Sequence, residues 1–533
     1  MYFMRKIFKF LTVFFILSLF FTVFGAQNKK NINAKNNIEM TILYTNDLHA
    51  HVDPFLFRAI DEKEKVGGFA NITAFVKDVK KNKDTVFFFD AGDYFTGPAI
   101  STLTEGEAIV DIVDTMGYDA VSVGNHEFDH GWKNALEKLK KYKTPVVLSN
   151  IYIEESGKPF WDKPYVILEK NGIKLGVIGI HGKFAFYDTI TANAIKGLEA
   201  RDEEEYLRKY IAEIKDKVDL IVVLAHEGTP ARQSSKGAED VARALKKDIE
   251  LAGNVQGIDI LITGHAHQGT PEALVVGKTL IVSTDAQGTE VGELELVLDS
   301  KTKKVISHSN KLNIIYDKDI TADPGTQQVI DKWNKIIDEK TKEVVGKTEV
   351  TLTRSYGSES LLGNLIADAI VYSAVSKGEK PDFAVTNSGG IRTDIEKGNI
   401  TQKDIIGAFP FPNALTVLNL SGKDIISMFE HAAGLTNGVL QVSHGLVMEY
   451  DPSKEVGSRI TKLELNGKKI DPNKTYRVAT NDFLANGGDG FSQFLSGTER
   501  NDVNGYMMYN AIMDYLKYKK VVSPKLEGRV VAK

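Results

Sequence analysis

The sequence predicts a layered α/β domain around a buried sheet, followed by a second α/β domain. Three observations carry this. Continuous apolar runs alternate with helix-spaced segments from Ile38 to about Lys318. Five of those runs are followed at once by His, Asp or Asn. Past a helical segment at Asp323 to Val345 the texture changes to mixed strands and two well-marked helices, Leu361–Lys377 and Lys423–Ala433. A chain of 533 residues is also too long for one core.

Taken in order, the chain opens with Arg5, Lys6 and Lys9 ahead of an apolar run from Phe10 to Phe24 that ends in Gly25 and Ala26. A charged start, an apolar middle and small residues at the end form a secretory signal. The run falls short of the ~20 residues a spanning helix needs. Residues 1–25 are therefore read as a signal cleaved after Gly25 or Ala26, and the protein as periplasmic or secreted, with no stable membrane association afterwards. Residues 26–38 are polar and read as a flexible linker. The chain has no cysteine, which excludes disulfides, a thiol nucleophile and thiolate-held zinc. The net charge of −5 is small, and no dense Lys/Arg stripe points to nucleic acid.

The first domain is expected over residues 39–318. Helical spacing marks Phe69 to Lys80 and Glu204 to Val218; further strands are expected at Pro145–Leu148, Leu175–Ile180, Leu280–Ser283 and Glu293–Leu298. Strands that are apolar throughout are buried on both faces. In such sheets, loops at the carboxyl ends of strands form the binding crevice. That rule brings five motifs together: Asn46-Asp47-Leu48-His49, Asp90-Ala91-Gly92-Asp93, Gly124-Asn125-His126-Glu127-Phe128-Asp129, Ala225-His226-Glu227-Gly228 and Gly264-His265-Ala266-His267.

The candidate metal ligands are Asp47, His49, Asp93, Asn125, His226, His265 and His267. Seven are too many for one tetrahedral ion, and they suit two cations ~3.5–4 Å apart with a bridging carboxylate, for which Asp93 is the candidate. A lone D-x-H or H-x-H is usually structural, but five of the eleven histidines sit just past apolar strands. His51 and His130 are read as lining the site without ligating, and His181, His308, His431 and His444 as background. His126 follows a ligand Asn and has a carboxylate, Asp129, three residues on, so it can be held in one orientation and kept protonated.

The order D-x-H, G-D, G-N-H-E, H-E-G, G-H-x-H resembles the calcineurin-like metallophosphoesterases. More narrowly, the chain resembles the bacterial 5′-nucleotidase / UDP-sugar hydrolase family. The resemblance implies a four-layer α/β/β/α first domain. It implies one metal on Asp47, His49, Asp93 and His267 and another on Asp93, Asn125, His226 and His265, with His126 and Asp129 as the catalytic pair. Zn²⁺, Mn²⁺ and Co²⁺ all suit such ligands.

A linker helix is expected over 319–345 and the second domain over 346–533. Its Asn387-Ser388-Gly389-Gly390-Ile391-Arg392 follows a strand-like run, Phe383–Thr386. Glycines let a backbone approach a ligand, and an Arg there can fork onto phosphate or carboxylate. Ala479–Gly490 reads as a loop with an aromatic face and two carboxylates. The resemblance implies that Phe411 and Phe483 sandwich a base, with Asp489 on the ribose and Asn387, Gly390 and Arg392 nearby. The family's Arg just before Glu359 is replaced by Ser358, and Arg354 is the candidate substitute.

The implied function is hydrolysis of nucleoside 5′-monophosphates, and in the family of UDP-sugars, by attack of water on phosphorus. Two alternatives stand beside it. One is a 2′,3′-cyclic-nucleotide 2′-phosphodiesterase/3′-nucleotidase. The other is a catalytically silent nucleoside-binding surface protein. The sequence leaves the metal and the oligomeric state open.

Overall fold

Two β-sheets lie face to face in the first half of the chain. The structure, a computed structural model, describes residues 37–228, 238–435 and 438–533. The expected signal and residues 26–36 of the expected linker lie outside them. One sheet runs Val305–Ile314, Glu290–Asp299, Asn37–Thr45, Val86–Asp90, Ala120–Val121, the last three parallel. The other runs Leu274–Val276, Thr279–Val282, Ile260–His265, Leu220–Glu227, Ile173–His181, Tyr165–Lys170, its middle four parallel.

Alternation along each strand assigns the faces. Ile42, Tyr44, Phe87 and Phe89 meet Val222, Leu224, Ile260 and Ile262 between the sheets. Leu43 and Phe88 point the other way, into a cluster with the helices Phe69–Asn82 and Glu107–Met116. Ile221, Val223 and Leu261 point outward onto Glu203–Ile214 and Lys246–Asn254. The result is four layers, helix, sheet, sheet, helix, and both faces of the inner strands are dry. Burying each such side chain is worth roughly 1.5–3 kcal/mol over exposing it.

Several element bounds differ from the sequence reading. The first strand starts at Asn37, where Asn37 and Ile38 already pair with Asp299 and Leu298. Pro145–Leu148 is not a strand; Val146 makes only an isolated bridge to Val121, and Pro145 has no N–H to offer a ladder. The helix expected to Val218 ends at Ile214, and its start is capped by Asp202, which accepts from the Glu205 N–H. The helix expected over Asp323–Val345 spans Pro324–Thr341, with Asp323 accepting from the Thr326 N–H. Val344–Thr348 instead forms a strand between Gly398–Thr401 and Val521–Val522.

In the second half a five-stranded mixed sheet runs Leu440–Val442, Phe383–Asn387, Thr475–Asn481, Ala414–Ser421, Thr498–Met507. Ala384, Val417 and Ala479 face the helices Leu361–Ser376 and Met508–Lys519. Phe383, Val385, Leu418 and Val478 face the helix Gly422–Gly434. The expected loop over 479–490 is more ordered than its turn-rich composition suggested. It holds the end of a strand, a helical turn at Asp482–Ala485 and a 3₁₀ turn at Gly488–Gly490.

The halves are joined by packing as well as by chain. Ile330 and Ile337 of the Pro324–Thr341 helix, and Ile406 from the second half, sit in the first half's outer cluster. Arg58 reaches across to Asp394 at 3.1 Å and Glu396 at 2.7 Å, and Thr102 donates to the Pro410 carbonyl at 3.0 Å. Among the described residues no helix is long and apolar enough to cross a membrane.

Candidate metal centre and substrate cleft

The carboxyl ends of the parallel strands from both sheets meet at one edge. Asp47 and His49 follow Asn37–Thr45, Asp93 follows Val86–Asp90, and Asn125 follows Ala120–Val121. His226 is the last residue but one of its strand, His265 ends its own, and His267 lies two residues on. Five of these seven residues have left-handed backbone: Asp47 (φ 53°), His49 (45°), Asp93 (62°), His265 (75°) and His267 (51°). Such strain costs on the order of 1–3 kcal/mol each and persists only where surroundings impose it. Here the His49 N–H donates to Asp93 O at 2.9 Å, and the His265 N–H to Asp47 Oδ2 at 2.9 Å. A Cβ on Gly124 would lie 2.2 Å from Asp93 Oδ1 and 2.7 Å from His226 Cε1, so only glycine fits there.

The donor atoms fall into two neighbouring groups, which Asp93 and His49 connect. In one, His49 Nε2 and His267 Nε2 are 2.9 Å apart, with Asp47 Oδ1 at 3.8 Å and 3.5 Å from them. In the other, His226 Nε2 lies 3.0 Å from Asn125 Oδ1 and 3.1 Å from Asp93 Oδ2, and His265 Nδ1 lies 2.8 Å from Asn125 Oδ1. The far sides of two rings fix their tautomers. His49 Nδ1 faces the Thr96 carbonyl and His226 Nδ1 the Ala91 carbonyl, which can only accept. In the neutral rings His226 Nε2 therefore brings a lone pair to the Asn125 and Asp93 oxygens, and His49 Nε2 brings one to His267 Nε2. A cation, or a proton, has to sit between them, and the donor set fits a divalent metal. With the proton in that role, burial works against the charged His226, but Asp93 outweighs it and lifts the imidazole to about 10. Burial and the Arg392 charge hold His49 well below the usual imidazole range.

His126 opens a 3₁₀ turn, His126–Phe128. Its Nδ1 is 2.7 Å from Asp129 Oδ2, and its Nε2 is 3.9 Å from Asp93 Oδ2. Burial opposes its protonation; Asp129 and Asp93 outweigh that and raise its pKa above the ordinary value.

A cavity of about 390 Å³ runs from this centre into the second half. The first half contributes Asp93, Asn125, His126, Asp129, His265 and His267 to its lining, and the second half Asn387, Gly390, Arg392, Phe411, Phe483 and Asp489. Asp47, His49 and His226 lie fully buried behind the wall. The Phe411 ring stands 5.6 Å from the His126 ring, with the Arg392 guanidinium 6.0 Å from its centroid. Asn387 donates to Asp489 at 3.1 Å. Arg354 does not line this cavity; it donates to the Tyr356 hydroxyl at 3.1 Å and lines the cavity next door.

Residues 40–269 match the calcineurin-like phosphoesterase family, and residues 342–496 match the 5′-nucleotidase C-terminal domain. The chain belongs to the calcineurin-like phosphoesterases that carry this second domain. Members of this family hydrolyse phosphoric esters with divalent metals, and this phosphoesterase is such a hydrolase. It is 28% identical to an apyrase of Tabanus yao over 93% of this chain and 94% of that one. It is equally 28% identical to the Homo sapiens 5′-nucleotidase, over 92% of this chain and 90% of that one. The crystal structure of a 5′-nucleotidase precursor from Thermus thermophilus superposes with a TM-score of 0.80 at 29% identity, covering 93% of this chain and 99% of that one.

Several contributors in the phosphoesterase escaped the sequence reading. Glu127 is fully buried and accepts from the backbone N–H groups of Asp93, Gly124 and Phe95 at 3.0, 2.6 and 3.0 Å. It ties the Asp93 loop to the Asn125 loop. Burial and the nearby Asp93 push its carboxyl up to about 7. His431, read as background, donates to the Asp489 carbonyl at 2.8 Å. Thr191 and Asn193 line the cavity from a segment with no apolar run before it, so no strand-end signal marks them. Glu127 had a signal, its place inside Gly124–Asp129, but a buried carboxylate among backbone donors cannot be told from a ligand by position.

Proposed function

We propose that this chain is an exported dinuclear-metal hydrolase that removes phosphate from nucleoside 5′-monophosphates. One observation carries the reading: a single cavity is lined by metal-type donors and His126 from the first half and by Phe411, Phe483 and Asp489 from the second. The match to a 5′-nucleotidase C-terminal domain supports the nucleotide as substrate. Asp47, His49, Asp93 and His267 would hold one cation, and Asp93, Asn125, His226 and His265 the other. When bound, two such cations supply Lewis acidity, setting positive charge against the phosphoryl oxygens and acidifying the attacking water.

The chain's own residues do the rest. Asp129 orients His126 so that Nε2 faces the cavity, and the protonated ring donates to a phosphoryl or leaving oxygen. Arg392, which lines the cavity, sets a positive charge beside the phosphate. Phe411 and Phe483 supply faces for the base, and Asp489, oriented by Asn387, accepts from a ribose hydroxyl. Phe411 beside His126 keeps water from the reacting end. The working division is 39–318 for the metal-binding domain, 319–345 for the linker and 346–533 for the substrate-binding domain. The separate core clusters of the two halves support it. Export rests on the charged and apolar pattern of residues 1–26.

The test is turnover of AMP, 3′-AMP, 2′,3′-cyclic AMP, ADP and UDP-glucose with Mn²⁺, repeated after EDTA. AMP is expected to lead, with EDTA abolishing the signal. Preference for 3′-AMP or the cyclic nucleotide would replace the 5′ reading. Absence of EDTA-sensitive turnover of any of them would leave a nucleoside-binding protein.

A further inference from the structure

A second cavity, of about 550 Å³, adjoins the first, and Tyr356 and Arg392 line both. Its buried wall is made by His51, Gln287 and Arg392. Oε1 of Gln287 and Nε and Nη2 of Arg392 are buried without a hydrogen-bond partner in the protein, and the buried His51 ring makes no hydrogen bond of ordinary geometry, with only the Leu48 and His49 backbone beside it. Each stranded polar group costs about 1–3 kcal/mol, and native proteins keep few of them. Three such side chains around one cavity point to a polar ligand.

Charge and geometry select its class. The carboxylates on this wall are already engaged: Asp53 accepts from Asn334, and Asp394 and Glu396 are held by Arg58. Arg354 adds a further guanidinium to the wall, beside Arg392 and the carboxylate-held Arg58. The Nε and Nη2 edge of an arginine is the side-on fork that matches two oxygens of an oxyanion. A neutral imidazole donates through one nitrogen and accepts through the other, and the Gln287 oxygen accepts. A tetrahedral phosphoryl group, with bare oxygens and one P–OH near neutral pH, satisfies all three.

We propose that this cavity is a second phosphoryl subsite, built by His51, Gln287 and the shared Arg392, beside the metal centre. The proposal rests on the reading of the first cavity as a phosphate-ester site. The phosphoryl group comes from one of two sources, the inorganic phosphate that the reaction releases or a further phosphoryl group of a nucleoside diphosphate.

The experiment is equilibrium binding of labelled inorganic phosphate to the full chain, with Mn²⁺ and after chelation. The chelated wild type is expected to keep one phosphate per chain. His51→Ala and Gln287→Leu should each weaken that binding roughly ten-fold or more, as loss of a hydrogen bond to a charged group does. His51→Gln should restore much of it, and far-ultraviolet circular dichroism checks that each variant is folded. No phosphate on the chelated wild type, or full affinity in folded His51→Ala and Gln287→Leu, would overturn the proposal. Kinetics of the Mn²⁺ enzyme then separate the sources. A raised phosphate inhibition constant in His51→Ala, with an unchanged ratio of ADP to AMP KM, assigns the site to released phosphate. A raised ratio assigns it to the substrate's further phosphoryl group. Absence of AMP hydrolysis in the wild type would sink the proposed function and leave the phosphate-binding measurement standing.

Discussion

Nδ1 of His126 and Oδ2 of Asp129 lie 2.7 Å apart across one 3₁₀ turn, and this pair sets which nitrogen of the ring faces the cavity. The carboxylate can only accept, so Nδ1 carries the proton toward it and Nε2 is left to meet the substrate. His126→Ala should lower kcat roughly 100- to 10,000-fold, the usual range for a general acid, while bound metal stays at the wild-type level. Asp129→Asn should cost less and shift the acid that governs the high-pH limb to lower pH, because the raised imidazole loses its partner. Rate profiles and metal analysis on the same preparations check both. An unchanged kcat in His126→Ala would remove this ring from the chemistry.

Asp93 stands with His226 and His265 in one donor group and close to His49 of the other, whereas His265 and His267 belong to one each. Metal counts should follow. Elemental analysis is expected to find two divalent ions per wild-type chain, about one in His265→Ala or His267→Ala, and neither held tightly in Asp93→Asn. EDTA should abolish turnover, and Mn²⁺, Co²⁺ or Zn²⁺ should restore it. One ion in the wild type would discard the bridging role of Asp93.

Phe411 and Phe483 line the cavity from the second half of the chain. Stacking on a base is worth about 1–3 kcal/mol by alanine substitution. Phe483→Ala should therefore raise the KM for AMP by roughly 5- to 150-fold and leave hydrolysis of ribose 5-phosphate almost untouched. Phe411→Ala should do the same and also lower kcat, since its ring stands 5.6 Å from His126. Equal losses on AMP and ribose 5-phosphate in Phe483→Ala would exclude base stacking there.

Glu127 closes three buried backbone donors at once. Glu127→Ala strands all three at about 1–3 kcal/mol each. Denaturant unfolding of the metal-free protein should show a loss of several kcal/mol, and the variant should bind metal poorly because the Asp93 loop is no longer pinned. Wild-type stability in this variant would mean that other groups satisfy the loop.

The cleft is bounded by both halves, and in the adjoining cavity Arg58 holds Asp394 and Glu396 across the same junction. Because the chain has no cysteine, introduced thiols react alone. Bridging Arg58→Cys to Glu396→Cys with a short bismaleimide should reduce turnover at least several-fold by blocking entry and release, with metal content unchanged. Full turnover in the bridged protein would argue against any need for the halves to separate.

Much of the fold was legible because its signals are local. Runs such as Val86–Phe89 and Leu220–Leu224 are apolar at every position only when both strand faces are covered, which dictates layers. The element bounds that shifted did so where local pattern is weakest. Pro145–Leu148 has the apolar look of a strand without a partner ladder, and Val344 and Val345 continue a helical spacing but are claimed by Gly398–Thr401 through non-local pairing.

By itself the sequence determined which side chains follow strand ends, and hence that Asp47, Asp93, Asn125, His226 and His265 share one edge. That is a consequence of parallel topology, which order along the chain is enough to express. Only the tertiary structure decided how the second half closes over that edge: Phe411 against His126, Arg392 between two cavities, Arg354 in the other one, and Glu127 turned inward to hold two loops. Those relationships join residues far apart in the chain through docking and burial, and no periodicity in one segment records what another will be packed against.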